Sequence, residues 1–138
     1  MILYRPVGLH ELELIASSGY RAFPPRLPDQ PIFYPVLNVD YARQIARDWN
    51  TKSNSFVGFV TRFEVDDVFV TRYPVQVVGA RTHEELWVPA EELDEFNRHI
   101  VGTIGVIESY AGPQFTGRID PATNLPVGWP PTGDGEGR

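Results

Sequence analysis

The chain contains no cysteine. That excludes disulfides, thiolate-ligated zinc and a cysteine nucleophile. It fits a cytoplasmic protein, and equally one exported without a cleaved signal. Lysine is scarce, since eleven of the twelve basic residues are arginine. Arginine suits bidentate phosphate contacts, but nucleotide composition explains the bias as well. No apolar run approaches the roughly 18 residues of a membrane span, so no membrane association is expected. Met1–Pro6 lacks a basic stretch followed by an apolar one, and reads as a first strand rather than a signal peptide. Several motifs are also missing: the phosphate-binding P-loop, G-x-G-x-x-G, H-E-x-x-H and G-x-S-x-G. The histidines, His10, His83 and His99, share no metal-ligand spacing, so no metal is expected.

What is present suits one domain. The 138 residues are 42% hydrophobic and 12% aromatic, enough for a core. The net charge of −6 is unevenly placed. Residues 1–50 carry five arginines and five acids, while the remainder carries seven bases and thirteen acids. Bulk electrostatics therefore oppose binding to a nucleic-acid backbone. A local arginine cluster is still able to hold one anionic ligand.

The residue pattern predicts a strand at 2–5 and a helix at 9–16, with Leu9, Leu12, Ile15 and Ala16 on one face. Ser17-Ser18-Gly19 ends that helix. A stiff proline-studded loop follows, with four prolines between Pro24 and Pro31. Ile32–Tyr34 reads as a short strand. Asn38 caps a helix from Val39 to about Trp49, with Tyr41, Ala42, Ile45, Ala46 and Trp49 as its core-packing stripe. Phe56–Val65 is a strand rich in β-branched and aromatic residues, and Val68–Val70 and Val75–Val78 read as shorter ones. After a turn at 79–82, Glu84–Val88 is a strand and Pro89 starts a helix of about nine residues. Ile100–Ile107 is a last strand. This order predicts an α+β fold with a mostly antiparallel or mixed sheet, two N-terminal helices and one late helix. The domain is expected to span 1–109. Residues 110–138, with five prolines and six glycines, read as a tail whose last several residues are disordered. Phe115, Ile119, Leu125 and Trp129 are able to dock that tail onto the domain or onto a protein partner.

Glu85 is the sharpest candidate. Period-2 alternation puts Leu86 and Val88 on one face of their strand and Glu85 and Trp87 on the other. If the apolar pair faces the core, a carboxylate and an indole project together. The competing reading is a solvated strand glutamate. Tyr4 and Arg5 read either as an edge-strand pair or as a cleft-facing grip on a diphosphate or ribose. Arg21 and Arg26 flank the proline-rich loop and are candidates for further phosphate contacts. Phe33 and Tyr34 point to opposite faces, one toward the core and the other a candidate aromatic wall for a planar ring.

Leu3-Tyr4-Arg5-Pro6-Val7-Gly8, then Glu11-Leu12, Ile15 and Gly19, resembles the opening of ADP-ribosyltransferase-like domains. Phe33-Tyr34 with Tyr41–Ala46 looks like their second strand and following helix. Glu85–Pro89 looks like the late strand bearing the family's glutamate. The resemblance covers about residues 2–108 and is nearest to small bacterial proteins carrying an ADP-ribosylation/crystallin-like label. It implies a split, mostly antiparallel sheet around an NAD cleft. It implies that Arg5 holds ribose or phosphates and that Tyr34 helps place the nicotinamide; Tyr4, Arg26 and Trp87 are further candidates for contacts to the NAD. Glu85 would then stabilise an oxocarbenium-like transition state. The activity implied is mono-ADP-ribosyl transfer, toxin-like in some members, or NAD glycohydrolysis, with NAD as substrate and the acceptor unknown. Two departures stand out: the second strand lacks a Ser-Thr-Ser pattern, and His83 stands where protein-modifying members often carry Gln or Glu. The rival reading is a non-enzymatic interaction or neutralising module on the same scaffold.

Overall fold

The computed structural model describes residues 1–79 and 83–130. In chain order the elements are β1 (Ile2–Val7), α1 (Leu9–Ser17), β2 (Ile32–Phe33), α2 (Val39–Asp48), β3 (Val57–Val65), α3 (Asp67–Val70), β4 (Val75–Val77), β5 (Glu84–Leu86), β6 (Val88–Pro89), α4 (Leu93–Arg98), β7 (Ile100–Ala111), β8 (Ile119–Asp120) and β9 (Leu125–Pro126). The class is α+β, and every pairing between these strands is antiparallel.

β3 sits between β1 and β7 and is the spine of the molecule. Its odd-numbered residues Val57, Phe59, Phe63 and Val65 enter the main core, with Leu3 and Val7 of β1 and Leu12 and Ile15 of α1. Phe23, Phe33, Phe63, Phe69 and Phe96 meet there edge-on or tilted, with centroids 4.8–6.3 Å apart. Val60 faces the other side, where α2 lays Ala42 and Ala46 on the sheet. A Cβ on Gly58 would lie 2.6 Å from the Ala46 carbonyl oxygen, so the glycine is what lets α2 approach so closely.

Four expectations need correction. Val68–Val70 is helical, not a strand, so the described residues hold four α-helices rather than three. The Asp66 carboxylate accepts from the Phe69 amide at 2.8 Å and caps the turn. Burial of Phe69 and Val70 then overrides the β-branched local preference. Trp49 is 68% exposed rather than in the α2 core stripe, because it lies at the C-cap, past the last helical turn. The 84–88 run is two strands: β5 pairs with β4, β6 pairs with β2, and Trp87 falls at the break. The last long strand continues to Ala111.

Beyond it, β8 and β9 form a hairpin, and Leu125 is fully buried in the main core, with Phe115, Ile119 and Trp129 packed against it. The Asn124 amide donates to the Ile107 carbonyl at 3.2 Å and fastens the hairpin to β7. The final residues expected to be disordered, and positions 80–82 of the expected turn, lie outside the described residues.

Candidate functional site

The sheet is stitched across a gap by a single residue. Val36 exchanges both backbone hydrogen bonds with Tyr4, at 2.8 and 2.9 Å, and bridges on its other side to Glu85. The Leu86 amide bonds to the Pro35 carbonyl at 2.9 Å, and the Leu37 amide to the Glu84 carbonyl at 3.0 Å. The segment Tyr34–Leu37 therefore lies between β1 and β5, and the ladder Tyr4–Val36–Glu85 puts Glu85 on the α2 face of the sheet, with the Arg5 side chain on the opposite face.

On β5 the alternation works as the sequence indicates. Leu86 and Val88 are buried in the core, while Glu85 and Trp87 share the other face. The Trp87 indole Nε1 donates to Glu85 Oε2 at 2.7 Å, and the Tyr41 hydroxyl donates to Oε1 at 3.3 Å. Glu85 is only 8% exposed. Among the described residues, no cationic side chain lies within ion-pair distance of it. A buried carboxylate with two neutral donors and no cation is an unspent attraction for positive charge. Burial, and next the Glu85 charge, push the Tyr41 phenol above its ordinary range, so Tyr41 stays a donor at neutral pH. The His83 ring stacks on Tyr41 with centroids 4.2 Å apart and planes within 8°, which fixes the phenol from its outer side.

These groups line a cavity of about 490 Å³ whose walls include Arg5, Tyr34, Tyr41, Val78, Glu85 and Trp87. Its size falls in the range of small-molecule sites. Tyr34 and Trp87 are partly exposed and present aromatic faces, while Phe33 points into the core. Arg5 is buried. Its guanidinium rests on the Phe33 ring at 4.6 Å and grips Glu11 through two parallel bonds, Nε to Oε2 at 2.7 Å and Nη2 to Oε1 at 3.1 Å. Nη1 reaches toward the Tyr34 carbonyl at 3.5 Å.

Of the candidate site residues, Arg5, Tyr34, Glu85 and Trp87 line this cavity, and Tyr4, Arg21 and Arg26 do not. Arg26 lines a neighbouring cavity of about 550 Å³ beneath the proline-rich loop, of which Arg5 is a shared wall. Its Nε donates to the Ile32 carbonyl at 3.1 Å. Burial, then the Arg5 charge, holds its guanidinium below the usual range. Tyr4 alternates to the opposite face of β1 from Arg5, and packs with Val36, Ala42, Ala46 and Val60 against α2. The sequence reading missed Tyr41 and His83. Tyr41 sits at the rim of the α2 stripe, and a phenol at a stripe's edge, able to carry its hydroxyl out of the core, was the available signal.

Among the described residues no helix is long and apolar enough to cross a membrane, and no group of three or more His, Asp or Glu side chains is placed to hold a metal ion. No family model, curated protein or solved structure matches the chain.

Proposed function

We propose that the cleft binds NAD and that Glu85 assists cleavage of the bond between nicotinamide and ribose, with ADP-ribose passing to an acceptor or to water. The observation that carries this reading is the buried Glu85 carboxylate, held by Tyr41 and Trp87 with no cation beside it among the described residues. The split antiparallel sheet agrees with the ADP-ribosyltransferase resemblance, whose fold this reading adopts.

The chemistry follows from charge. NAD carries a cationic pyridinium. When its bond to ribose C1′ breaks, nicotinamide leaves with the electron pair as a neutral molecule, and positive charge moves onto the sugar. A fixed carboxylate stabilises that charge more than the ground state, which is the condition for lowering the barrier. Tyr41 and Trp87 keep both oxygens aimed, so little reorganisation is required when charge develops. Tyr34 and Trp87 offer faces against which a flat ring stacks. Attack on C1′ by an acceptor hydroxyl or by water, with loss of its proton to solvent, completes the transfer.

The test uses NAD labelled in its adenosine half, incubated with the protein alone and with cell extract. Label in free ADP-ribose identifies hydrolysis. Label on protein, nucleic acid or a small molecule identifies transfer and the acceptor class. Intact NAD in both samples rejects the enzyme reading. The interaction-module alternative then gains. It draws on the exposed Leu27 of the proline-rich loop and Val127 of the C-terminal hairpin.

A further inference from the structure

The cavity beneath the proline-rich loop carries a positive charge that no described residue answers. Its charged side chains, with histidine counted neutral, are Arg5, Arg26 and Glu11. Arg5 and Glu11 cancel. Glu11 gives one oxygen to Arg5 Nε at 2.7 Å and the other to Nη2 at 3.1 Å, and the two side chains are only 11% and 22% exposed. Arg26 is left over. Of the five N–H donors of a guanidinium, its Nε is used by the Ile32 carbonyl at 3.1 Å. Its terminal nitrogens have no hydrogen-bond or ion-pair partner among the described residues. Burial and the neighbouring Arg5 charge hold the Arg26 guanidinium below its usual range, so this cation is partly desolvated and sits beside a like charge. Glu11 attracts it through space, but both Glu11 oxygens are already bonded to Arg5. An anion entering the cavity relieves that imbalance.

Much of the remaining wall is apolar. Leu9 and Pro24 contribute to it, and Leu14 and Leu27, 41% and 62% exposed, open onto the same space. The volume of about 550 Å³ suits a small organic molecule rather than a bare ion. The loop over it is stiff. Prolines stand at 24, 25, 28 and 31, and the Gln30 amide closes a turn on the Leu27 carbonyl at 2.8 Å. Little ordering is therefore needed on binding.

Charge decides the class of anion. One uncompensated positive charge matches one negative charge. A phosphate group carries about 1.5 to 2 negative charges at neutral pH, and its excess would face the Glu11 carboxylate. We infer that this cavity is a binding site for a small organic monocarboxylate: the terminal nitrogens of Arg26 take the two carboxylate oxygens side by side, and an apolar body rests on Leu9, Leu14 and Leu27. The inference does not rest on the NAD reading, because the Arg5–Glu11 pair lies on the other face of the sheet from Glu85.

The experiment is a heteronuclear NMR titration of the full chain at neutral pH with 3-methylbutanoate, its uncharged carboxamide, and inorganic phosphate. Wild type, Arg26→Gln and Glu11→Gln are compared. In wild type, 3-methylbutanoate is expected to saturate below about 10 mM and to shift the backbone signals of Leu9 and Leu27. The carboxamide and phosphate are expected to bind at least about tenfold more weakly, and Arg26→Gln to weaken 3-methylbutanoate by about the same factor. Glu11→Gln raises the positive charge of the cavity and is expected to narrow the gap between phosphate and carboxylate. Absence of saturable shifts in wild type, or equal affinity for the carboxamide, overturns the proposal without recourse to any variant. Phosphate binding to wild type as tightly as 3-methylbutanoate, or an unchanged gap in folded Glu11→Gln, overturns the choice of a monoanion. Full affinity in folded Arg26→Gln overturns the role of Arg26. Each of these results leaves the NAD reading of the Glu85 cavity intact.

Discussion

Two carboxylates flank α2, and each accepts a hydrogen bond from a tyrosine, yet their surroundings differ. Glu108 on β7 is bound by the Tyr110 hydroxyl at 2.6 Å and by Arg43, whose Nε lies 2.7 and 2.9 Å from its two oxygens. Arg43 also bonds Asp40 at 2.7 Å, which closes a surface network. The Arg43 bonds hold Glu108 below the usual carboxylate range, and Tyr110 is raised by its bond to Glu108. Glu85 has a tyrosine and an indole but no cation among the described residues, and it is more deeply buried. Glu108 is a satisfied ion pair that ties α2 to β7. Glu85 has no counter-charge among the described residues, and the proposed reading supplies one from the bound molecule. The same residue type beside the same helix is ion-paired in one place and, among the described residues, without a cation in the other.

That contrast can be broken first at Glu85. Glu85→Gln removes the charge; its one oxygen still accepts from Trp87, and its amide turns to the Tyr41 hydroxyl as donor. Nicotinamide release should fall by about 10²–10³-fold, while the melting temperature should hold or rise, because an unpaired buried charge has gone. The matching change, Glu108→Gln, should leave the release rate within about twofold, as expected for a group remote from the reacting atoms. Next in size is Tyr41→Phe, which removes one donor to Glu85 and should lower kcat about five- to tenfold with little change in KM, as steady-state kinetics would show. Asn38→Ala then tests the helix that presents Tyr41. The Asn38 side-chain Oδ1 accepts from the Asp40 amide at 2.7 Å and the Tyr41 amide at 3.3 Å. Its loss should cost about 1 kcal/mol in denaturant melts.

The smallest effect concerns acid. Glu108 has a folded-state pKa below its ordinary value of 4.5. Its contribution to stability is therefore complete above that value and fades as pH falls through the lower folded one. Wild type should be the more stable protein at pH 7, and the difference from Glu108→Gln, a few degrees in melting temperature at most, should shrink toward pH 3. A gap that widens on acidification contradicts the ion-pair assignment.

How far the sequence carried depends on where each feature gets its energy. β1, α1, α2 and β3 were legible because their periodicity and caps are local, as with Asn38 and the Ser17-Ser18-Gly19 stop. α3 was misread because three apolar residues favour a strand, while Asp66 and the Phe69 contacts in the core favour a turn. The break at Trp87 arises from two separate pairings, of which only β5 continues the site's sheet. The β8–β9 hairpin was hidden by its Gly and Pro content, although Leu125 anchors it in the core. At the site, alternation alone placed Glu85 with Trp87. The partners from elsewhere, Tyr41 on α2, Val36 between the strands and Glu11 behind Arg5, depend on tertiary packing that no short motif encodes. Tyr4 was paired with Arg5 by adjacency, and adjacency on a strand means opposite faces.

The most direct measurement is the rate of nicotinamide release from NAD by purified protein, wild type beside Glu85→Gln at neutral pH. The account predicts release by wild type that disappears into the uncatalysed background in the variant, with both proteins equally folded. Equal release by the two proteins, or none by a well-folded wild type, would contradict the assignment of Glu85 as the group that stabilises the departing sugar's charge.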